Sequence, residues 1–365
     1  MALRAPYASA MTERARDLGI VIGSMEPGPA NAITDVAGVR VGHTTLIEGG
    51  SIRTGVTVIV PHDGHPGTDP VFAGCHRING NGDMTGLEWV RELGMLTSPI
   101  GITNTLSVGV VRDALATSRH SDHLPVVGET YDGGLNDIEG QHVTAGHALA
   151  ALETARSAPV GHSVDEGSVG GGTGMICHDF KGGIGTSSRV VDDASGGYTV
   201  GVLVQANHGR RERLRVNGVP VGERLGPEVV PLPVETGGSE GSGSIIILVA
   251  TDAPLLPHHC NRLAQRAGFG VARTGGVGEH SSGDLVLAFA TGNRGLVVGE
   301  TALQGAREIP LRMLSDAYIV PLYDAVIDAT EEAIVNAMLA AETMAGHRGQ
   351  VYALTAESLR GALDR

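Results

Sequence analysis

Covalent catalysis by a side chain needs a nucleophile, a base and an anion-stabilising donor, and the segment "ETGGSEGSGSIIILVATDAPLLP" (235–257) offers a candidate nucleophile in an unusual setting. Up to Gly243 it has the composition of a flexible linker. From Ser244 on, a continuous aliphatic run reads as a strand buried on both faces. A hydroxyl at that seam is suited to attack the carbonyl of the residue before it, and glycine at 243 removes the Cβ that would hinder the strained geometry. An N→O acyl shift followed by hydrolysis cuts the chain between Gly243 and Ser244. The new α-amine, with an ordinary pKa of about 7.7 to 8, can then act as base to its own hydroxyl. The competing reading is that Ser244 merely opens a strand after a surface loop.

Other chemistry-bearing patterns are weaker. Residues 237–241, "GGSEG", fit the G-x-S-x-G elbow, but more linker follows where that motif needs a helix. The glycine-rich 166–189 lacks the lysine-serine/threonine ending of a phosphate loop and reads as turns or close chain approaches. The pairs in "HDGH" (62–65) and "HHC" (258–260) hint at metal ligands. Adjacent His258 and His259 diverge by about 100° on a helix, however, and no third ligand stands at zincin spacing. The expectation is no metal and no cofactor.

The elements that must position these groups follow from periodicity. Of 365 residues, 41% are hydrophobic and 55 are glycine, so a sizeable core with many turns and close backbone contacts is expected. "GVRVGHTTL" and "TGVTVIVPHDG" read as antiparallel strands, 199–209 and 284–293 as buried strands, and 139–157 as a helix. After the 244–251 strand, Asp252 is expected to cap a helix starting near Pro254 and ending at Gly268. A long helix is expected over 319–344. Buried strands that helices must cover imply a layered α/β sandwich with mixed or antiparallel sheets.

The net charge of −14, with no basic cluster, argues against nucleic-acid or anionic-membrane partners. It is compatible with a cationic group in the ligand. Cys75, Cys177 and Cys260 are widely spaced and read as buried reduced thiols. With no signal-peptide h-region and no apolar run near 18 residues, a cytoplasmic location is expected.

"GSIIILVATDAPLLPHHCNRLAQRAG" resembles the cleavage-site signature of the DmpA/BapA family, the L-aminopeptidase/D-Ala-esterase/amidases and β-peptidyl aminopeptidases. "VGETYDGGLNDIEG" (127–140), "EGSVGGGTGM" (166–175), "VGVLVQANHG" (200–209), "SSGDLVLAFATGN" (281–293) and "EEAIVNAMLAAETMAG" (331–346) extend the similarity over most of the chain. The resemblance implies a four-layer α/β/β/α sandwich, similar to N-terminal nucleophile (Ntn) hydrolases but with different connectivity. It implies one domain over 1–365, self-cleaved into chains 1–243 and 244–365 that stay associated, and a tetramer of such heterodimers.

By the same resemblance, Ser244 is the nucleophile and Asn207 an oxyanion donor. Ser282 and Asp284 hold and polarise the new amine, with Ser281 a competing hydroxyl. Asp stands at 284 where some β-peptidases have Glu, and its shorter reach questions direct contact with the amine. Glu129 pairs with the substrate's free amino group, Asp132 being the fallback acid, and Tyr131 orients the substrate. Loops at roughly 76–100 and 129–140 are candidates for setting side-chain preference. The expected activity is N-terminal serine aminopeptidase action on short peptides, amides and esters, with D-alanyl or β-amino-acid substrates included. The alternatives are an ornithine-acetyltransferase-like acyl transferase, which self-cleaves at threonine, and a non-enzymatic binding scaffold.

Overall fold

A computed structural model describes residues 13–117, 124–233, 243–296 and 307–364. The linker before Gly243 and the 237–241 elbow pattern lie outside those residues.

Two sheets form the centre. The smaller contains β1 (Arg40–Glu48), β2 (Ile52–Val60), β5 (Ile100–Asn104) and β6 (Val126–Thr130), in that order. The larger runs β4 (Met95–Leu96), β3 (Val71–Gly80), β12 (Gly283–Ala290), β11 (Ser244–Thr251), β10 (Thr199–Asn207) and β9 (Gly183–Val190). Both are mixed: β11 and β12 are parallel, as are β5 and β6, while β1–β2 and β10–β11 are antiparallel. Short β7 (Ile176–Cys177) and β8 (Phe180–Lys181) pair with each other, as do β13 (Met344–Gly346) and β14 (Gly349–Val351).

Side-chain alternation along the strands assigns the layers. From β11, Ile245, Ile247 and Val249 join one apolar cluster with Leu263 and Ala329. Those two residues belong to the helices α5 (Pro257–Arg273) and α6 (Val320–Leu339). From the opposite face, Ile246 and Leu248 pack with Ile59, Ile100 and Ile102 of the smaller sheet. Val56, Val58 and Val60 turn outward to Val111, Ala148 and Leu152. These lie on α2 (Val108–Thr117) and α3 (Ala145–Ser157). Three apolar interfaces thus separate helix, sheet, sheet and helix, the four-layer order expected. Every residue of β11 is buried, which is why its sequence is uniformly aliphatic instead of alternating. Among the described residues the remaining α-helices are short: α1 (Leu87–Leu93), α4 (Val221–Arg224) and α7 (Ala356–Leu363).

Several local expectations are corrected. Asp252 does not cap α5; its carboxylate accepts the Thr199 N–H at 2.8 Å, tying β10 to the end of β11, and the helix begins at Pro257. Gly268 does not stop that helix, which continues to Arg273. The glycines here serve close packing: a Cβ at Gly270 would stand 2.6 Å from Thr330 Cβ on α6. The C-terminal helix ends at Leu339, because 344–346 leaves it to pair as β13. Residues 138–140 form a separate turn ahead of α3. Cys177 and Cys260 are buried, but Cys75 is only partly so.

Candidate active site

Ser244 opens β11 at the middle of the larger sheet, paired with Asn207 on one side and Gly283 on the other. It is 5% exposed. With the chain continuous at this point, its Oγ donates to the Gly243 carbonyl at 2.7 Å and accepts the Gly283 N–H at 3.1 Å. The backbone donor therefore comes from the residue between Ser282 and Asp284. Sequence reasoning had assigned no role to Gly283, because a backbone N–H carries no residue-type signal.

Ser282 immediately precedes β12 and Asp284 is the second residue of that strand; Ser282 Oγ donates to Asp284 Oδ1 at 2.5 Å. Burial pushes the Asp284 carboxyl up to about 6, opposed by that hydroxyl and by the Ile245 N–H. The aspartate thus reaches the backbone immediately after Ser244. Pairing with β3 shifts register between Asp284 and Leu285, a bulge that re-aims the strand beside the site.

At the end of β10, Asn207 is held by both ends of its amide. Oδ1 accepts the Ile176 N–H at 2.8 Å, and Nδ2 donates to the Tyr131 carbonyl at 3.1 Å. A primary amide has two N–H groups, so this leaves one for an oxyanion. Tyr131 exposes 47% of its surface and is open to a ligand, whereas Glu129 is only 4% exposed. Glu129 Oε1 accepts the Asp83 N–H at 2.9 Å, and Oε2 accepts the Thr105 hydroxyl. Burial raises its carboxyl above the ordinary range despite both donors, and Asp83 adds to the rise. Gly82 connects this acid to the surroundings of Ser244: a Cβ there would stand 3.0 Å from Glu129 Oε1 and 2.8 Å from Gly283 Cα.

Asp132, the fallback acid, is buried away from this edge. Asn136 Nδ2 donates to its Oδ1 at 3.1 Å, and burial pushes its carboxyl up to about 7. Of the histidine pairs, His258 and His259 do not diverge: their ring centroids are 3.9 Å apart, and a nitrogen of each lies within 4.8 Å of an Asp316 oxygen. His62 is occupied by the Asp69 carbonyl and Arg294. A buried group that the sequence analysis missed, Cys177, His178 and His208, adjoins Asn207. Its thiol is pushed up to about 12 and its imidazoles are driven toward neutrality, all by burial.

A buried serine flanked by an amide donor, a Ser–Asp pair and a carboxylate stands at the head of a central strand in a four-layer sandwich, and the comparisons with known proteins make the chain an aminopeptidase with the Ntn-hydrolase fold. The structural neighbours carry the same architecture. A beta-aminopeptidase from Burkholderia sp. superposes with a TM-score of 0.89 at 54% identity, covering 96% of this chain and 98% of the other. The L-aminopeptidase D-Ala-esterase/amidase from Ochrobactrum anthropi, described as a new variant among the Ntn hydrolase fold, gives 0.84 at 42% identity, with 96% and 98% coverage. In sequence, the beta-peptidyl aminopeptidase BapA of Sphingosinicella microcystinivorans is 45% identical over all of this chain and 95% of its own length. The chain belongs to peptidase family S58, whose profile matches residues 31–352. Among the described residues no helix is long and apolar enough to cross a membrane.

Proposed function

We propose that this aminopeptidase activates itself by cutting between Gly243 and Ser244, and that the freed Ser244 then hydrolyses amides and esters adjacent to a free amino group. The observation that carries the reading is the double engagement of Ser244 Oγ, bonded to its own upstream carbonyl and to the Gly283 N–H. In the first reaction Oγ attacks the Gly243 carbonyl carbon, the C–N bond breaks, and the Ser244 nitrogen leaves as an amine. Water then cleaves the resulting ester, giving chains 1–243 and 244–365.

In turnover, the neutral Ser244 amine takes the hydroxyl proton as Oγ attacks the substrate carbonyl. Asn207 Nδ2 stabilises the oxyanion, and the amine returns the proton to the leaving group. Water repeats the sequence to release the acyl group. The Ser282–Asp284 pair holds the Ser244 amine in place, Tyr131 orients the substrate, and Glu129 pairs with the substrate ammonium, which restricts action to chain ends. The relatives' names support short peptides and amides with β-amino-acid or D-alanyl residues as the substrate class. By the family resemblance of its sequence, the two chains stay together as one domain and several such pairs assemble.

Intact mass measurement of the purified protein beside Ser244→Ala tests the reading. Two fragments split at 243/244 and hydrolysis of a β-alanyl amide are expected, both absent from the variant. A single uncut chain that hydrolyses the amide as fast as a cut one would remove the free amine from the mechanism.

A further inference from the structure

Glu129 is nearly inaccessible, and burial alone favours its neutral form, which would pair poorly with an ammonium group. Something must keep it charged and aimed. The parallel pairing of β5 and β6 sets Thr103 opposite Glu129 and Asn104 opposite Thr130. Thr105, the next residue, begins a tight turn that Asn104 fixes: its side chain accepts the Leu106 N–H at 3.1 Å and donates to Thr54 Oγ1 at 2.8 Å. Thr105 Oγ1 is thereby delivered to Glu129 Oε2, while the Asp83 N–H takes Oε1.

Each carboxylate oxygen has a second acceptor site left. Gly82 packs tightly between Oε1 and Gly283, the residue bonded to Ser244 Oγ, so the acid and the surroundings of Ser244 meet across a glycine that has no room for a Cβ. We infer that Thr105 is a positioning residue for substrate recognition: its hydroxyl holds Glu129 as an ionised receptor for one ammonium group. The inference rests on the amine-binding role of Glu129 proposed above and names the groups that make that role workable in a buried site. The hydroxyl acts on the charged form, so removing it raises the Glu129 pKa. The charged group acting on Glu129 from the β3–α1 segment, Asp83, pushes the same way.

Steady-state kinetics of Thr105→Val, Thr105→Ala, Thr105→Ser and Glu129→Gln on a β-alanyl amide test this, each protein first confirmed by mass to be cut at 243/244. Removing a hydrogen bond to a charged group should raise KM about 10- to 100-fold with kcat little changed, in both Thr105→Val and Thr105→Ala. Thr105→Ser should return it to within about threefold of the parent by the same reasoning. Below the inflection of the Ser244 amine, kcat/KM should fall with a second unit of slope as Glu129 protonates. The onset of that slope should move to higher pH in Thr105→Val. An unchanged KM and onset in both truncations, beside a large rise in KM for Glu129→Gln, would overturn the Thr105 role and leave the Glu129 role standing. An unchanged KM in Glu129→Gln would overturn both.

Discussion

The seam between linker and strand can be challenged with one methyl group. In Gly243→Ala the added Cβ would stand 2.4 Å from the Asn207 carbonyl oxygen and 2.9 Å from His208 Cα. Both are backbone atoms, one in the last residue of β10 and one in the residue after it, so no side-chain rotation relieves the contact. Ordinary van der Waals separation for such atoms is about 3.5 Å, which demands a retreat of about 1 Å. Overpacking of that kind costs roughly 1–3 kcal/mol, and a 1 Å misplacement of reacting groups costs about a hundredfold in rate. The atoms that must move include the Gly243 carbonyl, whose oxygen accepts from Ser244 Oγ at 2.7 Å and whose carbon is the proposed point of attack. Self-cleavage should therefore slow by about 10- to 100-fold. The assay is the appearance of the two fragments over time after synthesis is stopped, read by intact mass or denaturing gel. Any molecules that do cut should have near-normal amide hydrolysis, because residue 243 then ends a separate chain. Cleavage at the parental rate would refute the claim that this close approach sets the scissile geometry.

Two further outcomes follow from the same geometry. Asn207→Ala should lose about 10²–10³ in kcat with a smaller change in KM, measured on cut enzyme, since only the transition state uses its free N–H. An equal loss confined to KM would make Asn207 a substrate-binding group. Asp132, pushed up to about 7 by burial, binds a proton in the folded protein that its unfolded counterpart has released above about pH 4. Its stabilising contribution is therefore complete below that value and is lost as pH rises through about 7. Asp132→Asn should remove this loss, so the variant's melting temperature should gain on the parent's progressively from pH 5 to pH 8; parallel curves over that range would contradict it.

What the sequence by itself determined is local. The aliphatic run 244–251 could only be a doubly buried strand, and the change from glycine and polar residues to that run placed a hydroxyl at its head. The two-residue spacing of Ser282 and Asp284 suits a direct contact, and the structure bonds them to each other. The identities of Asn207 and Glu129 as site residues came from resemblance to a family, since a strand-end asparagine and a lone glutamate carry no periodic signal.

Helix ends were misread where tertiary partners outbid local rules: Asp252 accepts from β10 instead of capping, and Gly268 and Gly270 of α5 lie against Ile78 of β3 and against α6 instead of ending the helix. Only the folded sheets decided the rest. The Gly283 N–H reaches Ser244 from 39 residues away through parallel pairing, and Thr105 reaches Glu129 because two strands share a register. Sequence patterns report which face a side chain prefers; which strands become neighbours is settled by packing four layers at once, and that packing brings the distant donors to Ser244 and Glu129.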